Sequence, residues 1–143
     1  MCSVSIRSGE VESFIVNASK GKDLEILGDG TSRRGFCYQA DALTQILAVV
    51  QRGSIGGVYN IGVDEHVSIS ELADMIAIVA DHPVKVIVKN RLPAYLRGNP
   101  QIACPSIDRV RALSPLLKTP LKQGLGNTYD WFNSVLLKKT NYQ

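Results

Sequence analysis

The sequence predicts an α/β (α+β) domain of short strands and amphipathic helices, on three observations. Its 143 residues, 45% apolar and 20% charged, suit one folded unit with a respectable core. Apolar residues recur at helical spacing in several stretches, and short β-branched or aromatic runs lie between them. Glycines and prolines gather at the junctions, with no internal repeat, heptad pattern or low-complexity tract.

Taken in order, Ser8-Gly9-Glu10-Val11-Glu12 reads as a helix start, since acidic side chains favour the positive N-terminal end. Val11, Phe14, Ile15 and Ala18 give that helix one apolar face, and Lys20-Gly21 closes it, glycine accepting the left-handed conformation. Leu24 to Leu27 reads as a strand ended by the Gly28-Asp29-Gly30 turn. Phe36-Cys37-Tyr38 reads as the next strand. Asp41 is placed to cap a helix whose Leu43, Ile46, Leu47 and Val50 form an apolar stripe. Gly53 and Gly56-Gly57 break that helix, and Val58-Tyr59-Asn60-Ile61-Gly62 reads as a strand.

Ser68-Ile69-Ser70-Glu71 is a capping box, in which the serine and glutamate side chains satisfy each other's amides. Ile69, Leu72, Ile76 and Val79 share one face of the helix it starts. Val84 to Val88 is β-branched and strand-like, and residues 90–105, with three prolines, read as a long ordered loop of a kind that often carries function. Ser106-Ile107-Asp108 opens a short helix to Leu113. Pro115 and Pro120 mark a connector, and Leu121 to Leu137 reads as a final amphipathic helix.

Charge and cysteine content exclude several classes of function. The net charge is +3, and basic residues are dispersed apart from Arg33-Arg34 and Lys138-Lys139, which disfavours a nucleic-acid partner and suits small anions. Cys2, Cys37 and Cys104 are odd in number and lack a Cys-x-x-Cys pair, so packed, reduced thiols in a cytoplasmic protein are expected, with no disulfide framework or metal site. No basic segment followed by an apolar run opens the chain, and no run approaches the ~20 residues needed to cross a bilayer, so neither a signal peptide nor a membrane partner is expected. His66 and His82 stand alone, without clustered ligands, and no Gly-x-Ser-x-Gly elbow occurs.

Three phrases carry a resemblance. The first is Leu24-Glu-Ile-Leu-Gly28-Asp-Gly30-Thr-Ser-Arg33-Arg34-Gly-Phe36-Cys-Tyr38, the second Tyr59-Asn60-Ile61-Gly62, and the third Leu121-Lys-Gln-Gly124-Leu125 followed by Trp131. Together they resemble the C-terminal, substrate-binding half of the extended short-chain dehydrogenase/reductases, the NAD-dependent nucleotide-sugar epimerases and dehydratases. The resemblance runs from about Val11 to Trp131. It implies that Arg34 reaches the substrate's diphosphate, its guanidinium fork offering paired donors beside the glycine turn. It implies that Asn60 lies at the end of a strand where ligands gather, with a donor and an acceptor for sugar or phosphate. Leu125 and Trp131 are expected to pack the final helix.

Where the family often has an arginine two residues before a proline and an aspartate directly after it, this chain has Ala103 and Ser106 around Pro105. Arg97, or else Arg91, is the substitute cation expected there. The family's reaction centre is not in this sequence. There is no Gly-x-x-Gly-x-x-Gly turn, and the residues four beyond Tyr38, Tyr59, Tyr95 and Tyr129 are Ala42, Val63, Asn99 and Asn133, so the Tyr-x-x-x-Lys pair is missing too. The expectation is therefore one domain over 1–143 without the N-terminal dinucleotide-binding domain or a complete Rossmann domain. It would bind a nucleotide diphosphate-sugar, bind no NAD itself and be inactive alone. Its bare edges would be covered by a homo-oligomer or by a separate cofactor domain. The alternatives are an interaction module without substrate affinity and a half-enzyme completed in trans.

Overall fold

A computed structural model describes residues 9–91, 98–113 and 118–140. Its helices are α1 (Glu10–Ser19), α2 (Gln39–Arg52), α3 (Ile69–Val79), α4 (Asp108–Arg111) and α5 (Leu121–Thr140). Its strands are β1 (Leu24–Ile26), β2 (Arg33–Arg34), β3 (Val67–Ser68), β4 (Val86–Val88) and β5 (Ile102–Ala103). β1 pairs in parallel with β4. β2 is the middle of a second sheet, antiparallel to β3 and parallel to β5.

The core forms where α1, α3 and α5 meet β1. Phe14, Ile15 and Ala18 of α1, Leu24 and Ile26 of β1, and Leu72, Ala73 and Ile76 of α3 are buried together with Leu125 and Tyr129 of α5. Helical and strand periods put these residues inward, and Phe14, Ile15, Ala18, Leu72, Ile76 and Leu125 among them are ones the sequence singles out. The capping box is complete: Glu71 N donates to Ser68 Oγ at 3.0 Å and Ser68 N donates to Glu71 Oε2 at 2.7 Å. Gly21 closes α1 in the left-handed region, at φ +64°.

Trp131 corrects the sequence expectation. It is 62% exposed, while Tyr129 is 1% exposed and its hydroxyl accepts from Asp81 N at 3.1 Å. The helical period explains the exchange. Residues 121, 125, 129 and 132 share a face, whereas a position six beyond Leu125 lies about 240° round the helix.

Two expected strands are also absent. Residues 36–38 and 58–62 form no ladder, and pairing moves to β2 and β3 instead. A strand needs a neighbour to satisfy its amides, and among the described residues these two segments have none. Part of the expected 90–105 loop is β5, and Arg97 lies outside the described residues.

α2 turns its polar side inward. The inward residues are Asp41, Gln45 and Ala48, and the apolar stripe faces outward, with Leu47 59% and Val50 77% exposed. Nor does Asp41 cap the helix, which begins two residues earlier at Gln39. Its carboxylate accepts instead from Thr119 N at 2.7 Å and Thr119 Oγ1 at 3.0 Å. Gln45 Nε2 donates to Gly62 O, and its Oε1 accepts from Gly62 N, both at 2.8 Å. Polar partners in the connectors, rather than apolar burial, decide which side of α2 turns in.

Two of the resembling phrases meet at one contact. A Cβ on Gly124 would stand 3.1 Å from Tyr38 Cδ2, so the glycine of Leu121-Lys-Gln-Gly124-Leu125 makes room for the ring that ends the arginine phrase. Gly124→Val should therefore lower stability by about 1–3 kcal/mol through overpacking, against the usual gain from removing a helical glycine. Urea unfolding reads it directly, and an unchanged or raised midpoint would contradict the packing.

Candidate functional site

The site assembles around the Gly28–Ser32 turn. Asp29 Oδ1 accepts from Thr31 N at 3.0 Å and Thr31 Oγ1 at 2.9 Å, which holds Asp29's carboxyl below the usual range. The turn then closes over the start of α3: Ser70 N donates to Gly30 O at 3.1 Å and Ile69 N to Ser32 O at 3.0 Å. Gly30 is required, because a Cβ there would lie 2.1 Å from Ser70 Oγ and its φ is +74°. Gln101 ties the turn to β5. Its Nε2 donates to Thr31 Oγ1 at 2.6 Å, and its Oε1 accepts from Ser32 Oγ at 3.4 Å.

Arg34 emerges beside this knot. Its Nη1 donates to Arg33 O at 2.8 Å and to Gln101 O at 3.4 Å. The Nε and Nη2 edge, the side of the fork that grips oxyanions in pairs, has no acceptor among the described residues. Arg33 points elsewhere. Its Nε donates to His66 Nδ1 at 2.9 Å, and its Nη2 donates to His66 O at 3.2 Å and lies 3.3 Å from Glu71 Oε2. The two adjacent guanidiniums therefore differ: Arg33 is bound into the protein and Arg34 is presented.

Asn60 reaches the same segment from the other side, its Nδ2 donating to Ser106 O at 2.9 Å. Arg34 and Asn60 thus hold the two ends of residues 101–106. The side-chain amide N–H of Asn60 is engaged in structure, while its Oδ1 carries no bond among the described residues. Ala103 lies in β5, its carbonyl accepting from Gly35 N at 3.3 Å, and Ser106 Oγ donates to Asp108 Oδ2 at 2.7 Å. Arg91 is exposed, and its carbonyl accepts from Gly28 N at 3.2 Å. Sequence reasoning singled out neither Gln101 nor a role for His66. Gln101 meets the turn from about 70 positions away, and no local pattern announces such a contact.

A cavity of about 340 Å³ lies between the start of α2, residues 62–65 and α4. Of its charged groups Asp64 pairs with Arg111 and Glu65 with Lys118, while Asp41 is hydrogen-bonded to Thr119. The Arg111 guanidinium holds Asp64's carboxyl below the usual range. Among the described residues no cluster of three or more His, Cys, Asp or Glu side chains could hold a metal ion. Nor is any helix there long and apolar enough to cross a membrane.

Glu71 is the titrating group nearest Arg34's strand whose proton affinity is shifted. Bonds from Ser68 hold its carboxyl below the ordinary value of 4.5, with Arg33 and His66 adding to the effect. A depressed carboxylate contributes stability that is fully present above its ordinary value and lost as pH falls through the depressed one. Chemical denaturation between about pH 6 and about pH 3 should therefore show wild type losing stability more steeply than Glu71→Gln below about pH 4.5. Parallel curves would contradict this.

The first three amides of α3 are not free for a dinucleotide's pyrophosphate. A helix start that cradles pyrophosphate needs free amides. At α3, the best-placed start, Ser32 O, Gly30 O and Ser68 Oγ already take the amides of Ile69, Ser70 and Glu71.

Comparison with known proteins agrees with this architecture. Residues 5–62 match the family described as NAD dependent epimerase/dehydratase family. The chain is 28% identical over 131 residues to the UDP-N-acetyl-alpha-D-glucosaminuronate decarboxylase of Bacillus cytotoxicus, covering 90% of this chain and 41% of that protein. The epimerase Mth375 of Methanothermobacter thermautotrophicus superposes with a TM-score of 0.79 at 25% identity, over 92% of this chain and 40% of that one. A UDP-glucuronic acid 4-epimerase variant of Bacillus cereus, in complex with UDP-4-deoxy-4-fluoro-glucuronic acid and NAD, superposes with a TM-score of 0.76 at 25% identity, over 90% and 40%. The chain spans about two fifths of the length of these relatives. It belongs to the NAD-dependent epimerase/dehydratase family of extended short-chain dehydrogenase/reductases, of which it represents a part.

Proposed function

We propose that this chain is the nucleotide-sugar-binding portion of such an enzyme and holds the substrate's diphosphate through Arg34. The observation that carries this is the pre-set guanidinium. Its Nη1 is fixed on two backbone carbonyls while its Nε–Nη2 edge is left for a ligand. A pre-oriented fork loses little freedom on binding, which favours affinity. The names of the UDP-sugar relatives support the substrate class. Asn60 Oδ1 supplies an acceptor for a sugar hydroxyl. Arg97 is the further cation of this reading and lies outside the described residues.

This stretch of chain performs no turnover by itself, because its sequence holds neither the Tyr-x-x-x-Lys pair nor the Gly-x-x-Gly-x-x-Gly turn. A dinucleotide-binding domain, either in the same protein or supplied as a separate chain, covers the outward face of α2 and residues 36–62. That face is the second support. Leu43, Ile46, Leu47 and Val50 are exposed, forgoing on the order of 4 kcal/mol of burial, and the two strand-like segments beside them lack ladder partners. If no such domain is present, the same face drives association of copies. Leu47→Glu should then shift the 143-residue chain from oligomer to monomer in light scattering, with little change in thermal midpoint. An unaltered mass, from wild type that does associate, would remove α2 from the interface.

A thermal-shift titration tests the substrate reading. A UDP- or dTDP-sugar at about ten times its dissociation constant should stabilise the fold by about 1.4 kcal/mol, and NAD should not. No rise with any nucleotide sugar would leave the alternative, an interaction module without substrate affinity, for which Ala103 in place of a family arginine speaks.

A further inference from the structure

Two carbonyls seat the guanidinium of Arg34, and they come from different strands. Nη1 donates to Arg33 O at 2.8 Å within β2 and to Gln101 O at 3.4 Å, 67 positions along the chain. The plane of the Nε–Nη2 edge therefore depends on where Gln101 is held. Its backbone is held by the ladder, since Gln101 O also accepts from Arg33 N at 2.8 Å. Its side chain is held by the turn. Gln101 Nε2 donates to Thr31 Oγ1 at 2.6 Å, and the Thr31 hydroxyl donates in turn to Asp29 Oδ1 at 2.9 Å. Asp29 Oδ1 accepts from Thr31 N as well, at 3.0 Å, which fixes the direction of the hydroxyl. A hydroxyl has one proton, so donation to the carboxylate leaves Thr31 Oγ1 an acceptor and decides which end of the Gln101 amide faces it. The other end, Oε1, accepts from Ser32 Oγ at 3.4 Å. From Gln101 through Thr31 each donor points toward the Asp29 charge, and bonds in such a series polarise one another. The turn itself cannot follow Gln101, because Gly30 O and Ser32 O accept from Ser70 N and Ile69 N at the start of α3.

We propose that Asp29, Thr31 and Gln101 form a hydrogen-bond relay that sets the angle of the free edge of Arg34, which makes all three positioning residues of the diphosphate site. The proposal deepens, and rests on, the assignment of Arg34 to a diphosphate ligand. The bonds of the relay are exposed to solvent. Water replaces such bonds when they are cut, so they add little to folding stability. Water does not hold Gln101 at one place against the turn, however. A paired contact to two oxyanions tolerates an angular error of only about 10–20°. Without the relay, Gln101 is held only by the ladder of β5, a strand two residues long at the edge of its sheet. Arg34 then keeps its shorter bond, to Arg33 O, and its plane turns about that bond.

The test has two arms on the 143-residue chain. Thr31→Val keeps the shape and the backbone N–H and removes the hydroxyl, which Thr31→Ser restores. Gln101→Met keeps the length and the backbone carbonyl and removes the amide. In calorimetric titrations, Thr31→Val and Gln101→Met should each weaken UDP-glucose binding about threefold to tenfold, the loss expected when one side chain must be immobilised anew. The double variant should bind no worse than either, since a single relay is broken, and Thr31→Ser should bind as wild type does. In an Arg34→Ala background, Thr31→Val should have no further effect. Thermal midpoints should stay close to that of wild type throughout. The second arm needs no ligand. Relaxation of the Arg34 ¹⁵Nε–H should report an ordered guanidinium in wild type and Thr31→Ser, and an order parameter below about 0.6 in Thr31→Val and Gln101→Met. Unchanged affinity in Thr31→Val, the same loss with Arg34 removed, or an Arg34 equally ordered in all four proteins overturns the relay. So does a thermal midpoint that falls in step with affinity, which would make the three residues part of the fold alone. Binding that ignores Arg34→Ala, or no binding of UDP-glucose at all, overturns the diphosphate assignment instead, and the relaxation arm then decides the relay.

Discussion

Asp41→Ala should lower the stability of the chain by about 2–4 kcal/mol, the largest effect expected from a single polar side chain here. Asp41 is buried, and its two carboxylate oxygens accept from Thr119 N and Thr119 Oγ1. Removing it leaves a backbone N–H without a partner and detaches the connector that leads into α5 from the start of α2. Asp41→Asn keeps one acceptor oxygen and should recover about half of the loss. Urea denaturation midpoints of the three proteins give the comparison directly. If Asp41→Ala unfolds at the wild-type midpoint, α2 is not anchored through its polar face, and the account of its orientation fails.

Arg34→Ala should weaken nucleotide diphosphate-sugar binding about 10- to 100-fold while moving the thermal midpoint little. The magnitude is that of a charge-assisted, paired hydrogen bond, about 1.5–3 kcal/mol. The stability effect is small because only Nη1 bonds within the protein, and β2 is held to both neighbours by its backbone. Arg34→Lys separates charge from geometry. An ammonium cannot rest on two carbonyls and still present a pair of parallel donors, so it should recover less than about a tenth of the lost affinity. Full rescue by lysine would mean that the site needs only a positive charge. Arg33→Ala should instead act mainly on stability, because its guanidinium is bound to His66 and Glu71.

Much of this was legible in the sequence where a pattern is local. The apolar faces of α1 and α3, the Ser68–Glu71 capping box and the turn at Gly28–Gly30 depend on neighbours within a few positions, and they stand where the pattern put them. The arginine phrase also singled out Arg34, whose Nε–Nη2 edge has no acceptor among the described residues. What failed depends on partners. Phe36–Tyr38 and Val58–Gly62 have strand composition, yet a strand forms only against another, and here the pairing formed between Arg33–Arg34 and Val67–Ser68 instead. The apolar stripe of α2 was legible and its outward direction was not, because Thr119 and Gly62, far along the chain, bind the polar side. Trp131 was assigned by phrase resemblance, where helical phase from Leu125 would have selected Tyr129. Gln101 was invisible because its role lies in contacts to Thr31, Ser32 and Arg34 that no spacing encodes.

Isothermal titration of the 143-residue chain with UDP-glucose, set beside uridine monophosphate and free glucose, tests the central claim most directly. The account predicts that the diphosphate sugar binds at least about tenfold tighter than the monophosphate, that the advantage shrinks as salt is raised, and that it vanishes in Arg34→Ala. Equal affinity for the three ligands, or none for any of them in a folded sample, would contradict it.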